Sequence, residues 1–330
     1  MTRVTTSPKS SSTDRECAVI FFAEEPVPSQ RGVSTRITAL LGSFSIEITP
    51  RESLRDPALL QESLPAASRV YITFLAERPF ADTVTAAAAA VDQGMIPVPH
   101  VAARAISNRR QLDGMIGRLS AVGVEEVLLI AGSMSKPAGE FDDTIQVLAS
   151  GCLQAHEISR VGVAGHPEGN KDIGNAGLAD ALAAKNAVAT DQGLDMYLLT
   201  QFCFTAGPIV AWERRIRAEG NRLPVLVGLP GLSSPATLLK FGLSCGVGPS
   251  LKVLRKQSGG LLKLATKSVY YPDRTLLELA QAVEADPDSL INGIHFFPFG
   301  ALRTTARWAE MVRSGQVRID EDSDRMEAEE

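Results

Sequence analysis

Cysteine is scarce in this sequence, and the few cysteines are far apart. The 330-residue chain contains four of them and no Cys-x-x-Cys pair. Disulfide frameworks and zinc sites usually show closely spaced cysteines, so neither is predicted, and no metal site is expected. We expect buried, reduced thiols in a cytoplasmic protein. The four residues are Cys17, Cys152, Cys203 and Cys245.

Aromatic residues and positive charge are also in short supply. Aromatic residues make up 5% of the chain, and the formal net charge is -5 at pH 7. Binding to nucleic acid usually requires a basic stripe with aromatic residues interleaved. The sequence has no such stretch, so no nucleic-acid partner is predicted.

Long apolar runs are absent as well. None approaches the roughly 18 residues that a membrane span needs, so no membrane association is predicted. Residues 1–16 are rich in Ser, Thr and Lys and lack the apolar segment of a secretory signal, which predicts a disordered tail. We expect 17–42 to lead into the core, 43–316 to form one catalytic domain and 317–330 to be a solvated acidic tail.

Short apolar segments alternate with helical segments along most of the chain. Eight of them are predicted to be strands, and all but the last are spaced by about 26 to 36 residues. This alternation, in a chain of this length, is typical of a (β/α)8 TIM barrel of the α/β class. A doubly wound open sheet is the alternative, although no strand is followed by Gly-x-Gly-x-x-Gly. The predicted strands lie in 44–51, 70–75, 96–102, 127–131, 160–170, 196–204, 224–230 and 293–297.

Helices are predicted between these strands from apolar periodicity and from capping residues. Asn108 is a suitable N-cap, and Gly94 is a usual residue just after a helix. The predicted helices are 33–41, 81–93, 108–123, 141–156, 177–191, 209–219, 237–243, 250–255, 274–285 and 301–313.

Polar residues gather where the predicted strands end. In a barrel these ends share one face, so their side chains should converge on a pocket. Glu47 lies between Ile46 and Ile48, and if those two pack outward, Glu47 points into the barrel mouth. A partly buried carboxyl has a raised pKa and can act as a general acid. The set is Glu47, Thr73, His100, Ser133, His166, Glu168, Gln201 and His295.

Less specific interpretations apply to the same residues. Glu47 could be a glutamate hydrogen-bonded inside the barrel for structural reasons. His166 and His295 are more often satisfied core histidines than ligands, and neither has a second ligand at metal spacing. The glycine-rich stretch 165–169 could cradle a phosphate, which is a weak signal.

Six short motifs occur along the chain: Ile46-Glu47-Ile-Thr-Pro50-Arg51, Pro99-His100, Ala164-Gly-His166-Pro-Glu168, Leu199-Thr-Gln201-Phe-Cys-Phe204, Lys240-Phe241 and Ile294-His295-Phe-Phe297. The most specific are the Thr-Gln-Phe strand and the Pro-Glu loop taken together. In their order and approximate spacing the sequence resembles the methylenetetrahydrofolate reductase family, from about Phe44 to Phe297.

The resemblance implies a (β/α)8 barrel that reduces 5,10-methylenetetrahydrofolate to 5-methyltetrahydrofolate with NAD(P)H, usually through bound FAD. Glu47 would be the general acid that helps to open the five-membered ring of the substrate at N5. Gln201 would hydrogen-bond the pterin or the nicotinamide, and Phe241 would stack on the folate. Thr237 and Ser133 fall at further substrate-contacting positions. The positions that correspond to cofactor contacts are Thr73, His100, Ala131, Gly132, His166 and Asn170.

At the positions where the family contacts FAD, this sequence departs from the family pattern. Ala131-Gly132-Ser133 stands where the family usually has Arg-Gly-Asp, and the basic pair expected against the FAD phosphates falls at Val188 and Ala189. His166 replaces a Tyr, Asn170 replaces a His, and Gly300-Ala301 replaces Asn-Arg. Each lost charge-assisted hydrogen bond is worth roughly 1.5 to 3 kcal/mol, so FAD affinity should fall by several orders of magnitude. Hydride transfer directly from nicotinamide to the folate is therefore an open form of the hypothesis.

Two other functions fit the same sequence. One is a tetrahydrofolate-binding barrel without redox chemistry that supports a methyl-transfer partner. The other is an unrelated barrel lyase that binds a phosphate at 165–169. For the reductase and for the folate-binding barrel, the expected partners are tetrahydrofolate derivatives. Assembly into a homo-oligomer is left open.

Overall fold

Eight parallel strands close into a barrel in the order β1 to β8, each paired with its two neighbours in the sequence and β8 with β1. The computed structural model describes residues 30–170, 172–244, 269–320 and 325–328. The predicted (β/α)8 barrel is confirmed. Its strands are β1 Ser45–Ile48, β2 Arg69–Ile72, β3 Ile96–Ala102, β4 Glu126–Ile130, β5 Arg160–Gly165, β6 Asp195–Thr200, β7 Val225–Pro230 and β8 Ile291–Phe297.

Helices lie between the strands and cover the outside of the barrel. In the described part of the chain they are α1 Gln30–Leu41, α2 Pro50–Arg55, α3 Leu59–Ser63, α4 Phe80–Asp92, α5 Arg109–Ser120, α6 Thr144–Ala149, α7 Cys152–Ala155, α8 Gly174–Gln192, α9 Ala206–Ala218, α10 Pro235–Ser244, α11 Asp273–Ala285 and α12 Leu302–Arg313. None of the helices that can be described is long and apolar enough to cross a membrane.

Capping residues set several helix ends as predicted. The Asn108 side chain accepts a hydrogen bond from Gln111 N at the start of α5. Gly94 follows α4 with φ of +73°, a conformation that glycine adopts without steric cost. The single helix predicted over 141–156 is wrong. Gly151, with φ of +74°, separates α6 from α7, so the chain turns there.

The segments predicted at the two ends of the chain, the lead-in 17–42 and the acidic tail 317–330, both contain regular secondary structure. Within the predicted lead-in 17–42, α1 occupies Gln30–Leu41 and packs against α11 and α12. Within the predicted acidic tail, strands β9 Val317–Asp320 and β10 Arg325–Ala328 pair antiparallel with each other. The predicted tail 1–16 and helix 250–255 lie outside the described residues.

Strand alternation separates two apolar layers. Ile46 and Ile48 are 0% and 3% exposed and belong to the large core between strands and helices. Residues of the opposite parity fill the barrel itself, since successive side chains on a strand point to opposite faces. This inner cluster consists of Tyr71, Val98, Leu128, Tyr197 and Leu199.

The barrel interior also holds polar side chains, and most are paired with one another. The hydroxyls of Tyr71 and Tyr197 are 2.5 Å apart. Towards the amino ends of the strands, Arg69 Nε donates to Glu126 at 2.8 Å, and the Arg160 guanidinium lies 4.7 Å from the Tyr197 ring centre. Pairing offsets the cost of burying these polar groups.

Gly162 provides the space for this arrangement. A Cβ at this position would lie 2.6 Å from Tyr197 Oη and 2.9 Å from Leu128 Cδ1. We expect Gly162→Ala to lower the free energy of unfolding by about 3 kcal/mol, because a packed interior cannot absorb the added methyl group. The measurement is urea unfolding.

Gly114 is the matched control for this substitution. It lies within α5, and a Cβ there would meet nothing within 4 Å. Gly114→Ala should raise stability by about 0.5 to 1 kcal/mol, because alanine is the better helix former. Equal effects of the two substitutions would contradict the packing described around Tyr197.

Candidate active site

Glu47 points into the barrel from β1, as the alternation with Ile46 and Ile48 predicted. Its side chain is 17% exposed, so it borders the mouth of the barrel without being freely solvated. Burial, reinforced by the negative charge of Glu52, raises the pKa of Glu47 to about 8. At pH 7 the carboxyl is therefore mostly protonated, which is the state that a general acid requires.

His100 faces this carboxyl from β3. Its Nε2 lies 3.6 Å from Glu47 Oε2, and its side chain is 9% exposed. Burial lowers the pKa of His100 to about 4, so the ring is neutral at pH 7. Nε2 has no hydrogen-bond partner among the described residues. A residue expected at a cofactor position thus lies beside the predicted acid.

His295 occupies the barrel interior on β8. It is 0% exposed, and its Nδ1 is 2.9 Å from Ser45 Oγ. Its ring centre lies 4.5 Å from that of Tyr71. Burial, with a smaller effect of His100, lowers the pKa of His295 well below its usual value. The interpretation as a core histidine fits this environment.

Gln201 follows directly after β6, on the same face of the barrel. Its Oε1 accepts a hydrogen bond from Phe202 N at 3.1 Å, which leaves the amide NH2 group as the available donor. A Cβ at Gly228 on β7 would lie 2.5 Å from Thr200 O and 3.1 Å from Gln201 C. Only glycine therefore lets β7 approach the Gln201 backbone this closely.

A cluster of aromatic side chains links the outer part of this face to the interior. Phe241 on α10 stacks on Phe299 with ring centres 4.6 Å apart and planes at 20°. Phe299 stacks next on Phe297 at 6.3 Å, and Phe297 lies 4.7 Å from His295. Ring contacts therefore run from Phe241 to the barrel interior. The cluster comprises Phe202, Phe204, Leu238, Leu239, Phe241, Tyr270, Phe297 and Phe299.

Phe299 is the least expected member of this cluster. Its φ is +49°, in the left-handed region that residues other than glycine rarely adopt, and Gly300 follows with φ of +91°. Such strain costs of order 1 to 3 kcal/mol, and strained residues are common at ligand sites. The turn holds the Phe299 ring on the Phe241 ring.

For Thr237 and the loop after β4, the structure shows contacts or exposure but no hydrogen bond to Glu47 among the described residues. Thr237 Oγ1 is 2.9 Å from Ser234 Oγ near the start of α10. Ala131 and Gly132 are half-buried, and Ser133 is exposed. Thr73 lies nearer: its N and Oγ1 both donate to Ile48 O, next to Glu47 on β1, at 3.0 Å and 3.4 Å.

Lys185 on α8 is a buried cation beside β5 that the sequence analysis did not single out. It is 8% exposed, and its Nζ donates to Ala164 O at 3.1 Å. Burial lowers the pKa of Lys185 to about 8, against a smaller opposing effect of Asp143. The available signal was that Lys185 is the single basic residue in an alanine-rich helix.

His166 and Asn170 lie in the loop that leads to α8. Burial, with a smaller effect of Lys185, lowers the pKa of His166 to about 4, so this ring too is neutral at pH 7. Asn170 Oδ1 accepts a hydrogen bond from Asp172 N at 2.9 Å, which shapes the turn before the helix.

Burial, with a smaller effect of Glu168, raises the pKa of the Cys203 thiol. Cys152 and Cys203 are buried free thiols, as predicted.

No protein-family model matches this chain. Solved structures with a similar fold include a proposed phosphonomutase from Burkholderia cenocepacia J2315, with 12% identity over 86% of this chain and 98% of that one and a TM-score of 0.46. Dihydropteroate synthase from Thermus thermophilus has 13% identity over 82% and 92%, with a TM-score of 0.42. Tryptophan synthase from M. tuberculosis has 16% identity over 76% and 99%, with a TM-score of 0.39. Likenesses this distant carry no argument about substrate or reaction.

The residues near β5 and α8 do not suit the phosphates of FAD. Val188 and Ala189, at the positions where the resemblance expects a basic pair, pack against the hydrophobic core. His166 is neutral at pH 7, which leaves Lys185 as the buried cation in the described part of this region. Within the described residues, no three His, Cys, Asp or Glu side chains are grouped as metal ligands.

Proposed function

We propose that this chain is a reductase of folate one-carbon metabolism that converts 5,10-methylenetetrahydrofolate to 5-methyltetrahydrofolate with NAD(P)H. The observation that carries the proposal is a buried, protonated carboxyl, Glu47, at the mouth of a barrel. Gln201 and the aromatic cluster around Phe241 lie on the same face. The motif resemblance assigns Glu47 and Phe241 to the folate, and Gln201 to the pterin or the nicotinamide.

The reaction needs an acid of this kind. The ring, which the resemblance led us to expect to open at N5, opens at N10 in this mechanism, because the product keeps the methyl group on N5. The methylene carbon of the substrate lies between N5 and N10, and the bond to N10 breaks as N10 takes a proton from Glu47. The carbon stays on N5 as an iminium, which accepts hydride from the nicotinamide and becomes the methyl group. Glu47 then regains a proton from solvent. A carboxyl with a pKa near the working pH suits this step, because it is protonated at the start and still acidic enough to transfer the proton.

Folate binding in this proposal uses the polar and aromatic parts of the same face. The free amide NH2 of Gln201 donates to the pterin or to the nicotinamide carboxamide. The rings of Phe241, Phe297 and Phe299 are half-buried, and in this proposal they contact the conjugated parts of folate; such contacts are worth about 0.5 to 1.5 kcal/mol each beyond area burial.

The hydride donor in this proposal is the nicotinamide itself, without a flavin between it and the folate. The apolar packing of Val188 and Ala189 supports this version, because it leaves the β5–α8 region with one buried cation. One buried cation is too few for tight binding of FAD but suits the weaker binding of a co-substrate that leaves after each turnover, so in this proposal Lys185 faces the phosphates of NAD(P)H.

The first experiment is an absorption spectrum of the purified protein followed by an assay at 340 nm. We expect no flavin band, and we expect oxidation of NAD(P)H that depends on added 5,10-methylenetetrahydrofolate. A tightly bound flavin would contradict the direct transfer. Absence of turnover with either nicotinamide would contradict the reductase.

A folate-binding barrel without redox chemistry is the second candidate. The exposed Ser133 favours it, since it stands where the resemblance expects an acid beside the pterin. Calorimetry that detects tetrahydrofolate binding, together with no turnover by either nicotinamide, would select this function.

A further inference from the structure

Glu47 on β1 and His100 on β3 lie close together although β2 separates their strands. Nε2 of His100 and Oε2 of Glu47 are 3.6 Å apart, and both side chains are largely buried. Nε2 lacks a hydrogen-bond partner among the described residues, although it is inaccessible to solvent. A buried polar atom without a partner is costly and rare, so a nearby group is expected to satisfy it when the site is at work.

We propose that His100 is a positioning residue for the general acid: its Nε2–H donates to Oε2 of Glu47 and leaves Oε1 to carry the proton towards the substrate. This inference rests on the proposed reductase function. The gap of 3.6 Å needs to shorten by about 0.6 Å to become an ordinary hydrogen bond, a small rotation of either side chain when substrate binds.

The neutral state of His100 suits this role. A neutral ring donates a hydrogen bond without placing a positive charge beside Glu47, so the acid keeps its proton at pH 7. After the proton has left, the same N–H stabilises the carboxylate through a charge-assisted hydrogen bond.

The other ionisable groups around the pair are less suited to this role. Glu52 on α2 is engaged with Thr49 N and Oγ1, and as an acid it only repels the carboxylate. His295 on β8 contacts Ser45 through Nδ1, and although its Nε2 also lacks a hydrogen-bond partner among the described residues, the imidazole found within 4 Å of the Glu47 carboxyl is that of His100. Tyr71 on β2 has its hydroxyl on Tyr197. His100 is therefore the group placed to orient the carboxyl.

The test compares His100→Leu, which removes the donor, with His100→Gln, whose amide N–H replaces Nε2–H. In His100→Leu we expect kcat to fall by about 10- to 100-fold, with the KM for 5,10-methylenetetrahydrofolate within about 2-fold of wild type. The alkaline limb of the kcat profile should move to higher pH, because the carboxylate has lost its donor. His100→Gln should recover most of kcat and restore the position of the limb.

A measurement that does not need turnover separates this inference from the proposed function. Infrared difference spectra follow the C=O stretch of the protonated Glu47 carboxyl against pH, with Glu47→Gln as the assignment control. The titration should move to higher pH in His100→Leu and should stay near wild type in His100→Gln. An unchanged titration in His100→Leu would overturn the role of His100, even in a protein that turns over. A protein without turnover whose titration shifts as expected would keep the hydrogen bond and reject the reductase.

Discussion

Replacing Glu47 with glutamine is expected to lower kcat for folate-dependent NAD(P)H oxidation by about 10³-fold, while folate binding is retained. Glutamine keeps the shape of the protonated carboxyl, with an N–H donor and a carbonyl acceptor, but its amide N–H is too weak an acid to protonate N10. Binding without turnover is therefore the expected pattern, and stopped-flow absorbance at 340 nm together with calorimetry measures both. Wild-type turnover in Glu47→Gln would remove the chemical basis of the proposed function.

Glu47→Gln is expected to lower activity but to raise the stability of the folded protein. The folded-state pKa of Glu47 is about 8, above its ordinary value of 4.5. The stability from burying the neutral carboxyl is complete below the ordinary value, and it is lost as pH rises towards the folded-state value. Glu47→Gln removes the need to protonate an ionised carboxyl on folding, so at pH 7 it should raise the free energy of unfolding by roughly 2 to 3 kcal/mol.

A matched control is available on the surface. Glu62 on α3 is exposed and pairs with Arg303 at 2.9 Å, an ion pair of small expected value. Glu62→Gln should change neither kcat nor stability appreciably. Loss of activity in both variants would mean that the effect at Glu47 is not specific to the site.

Replacing Lys185 with methionine is the second prediction with a large effect. The folded-state pKa of Lys185 is about 8, below its ordinary value of 10.5, because burial opposes the charge. For a lysine with a lowered pKa, the cost to folding is complete below the folded-state value and disappears as pH rises past the ordinary value. At pH 7, Lys185→Met should therefore raise the free energy of unfolding by roughly 2 kcal/mol, after allowing for the lost hydrogen bond to Ala164 O.

Function is expected to change in the opposite direction. A buried cation that costs stability and that, within the described part of the chain, donates to a backbone carbonyl alone suits an anionic ligand. We expect Lys185→Met to raise the KM for NAD(P)H by about 10-fold or more, with the KM for folate unchanged. Steady-state kinetics with each substrate varied in turn measures this difference.

Lys136→Met, at an exposed lysine, is the matched control and should leave the free energy of unfolding within about 0.5 kcal/mol of wild type. A stabilised Lys185→Met variant with normal kinetics would confine Lys185 to a structural role.

The barrel and its acid could be predicted because both follow from local patterns. Alternation around Glu47 is enough to turn its side chain away from Ile46 and Ile48, and strand spacing is enough to indicate the closed barrel. The pairing of Glu47 with His100 could not be read in this way. It depends on two strands that are separated by a third, and on how far each side chain reaches across the interior.

Lys185 and Phe299 show the other limit of sequence reasoning. A lone lysine in an alanine-rich helix is usually solvated, and its burial here depends on the angle at which α8 meets β5. Phe299 owes its place over Phe241 to a left-handed backbone conformation that phenylalanine does not favour. The predicted helix 141–156 is wrong for a related reason, since it is interrupted at Gly151, whose left-handed backbone forms a turn between α6 and α7.

The most direct test of direct hydride transfer in this barrel uses NAD(P)H deuterated at the transferred position of nicotinamide C4. Protein that shows no flavin absorbance should form 5-methyltetrahydrofolate with one deuterium in the methyl group, detected by mass spectrometry, and Glu47→Gln should form almost none. Product without deuterium in the methyl group, or no product from the wild-type protein, would contradict the account.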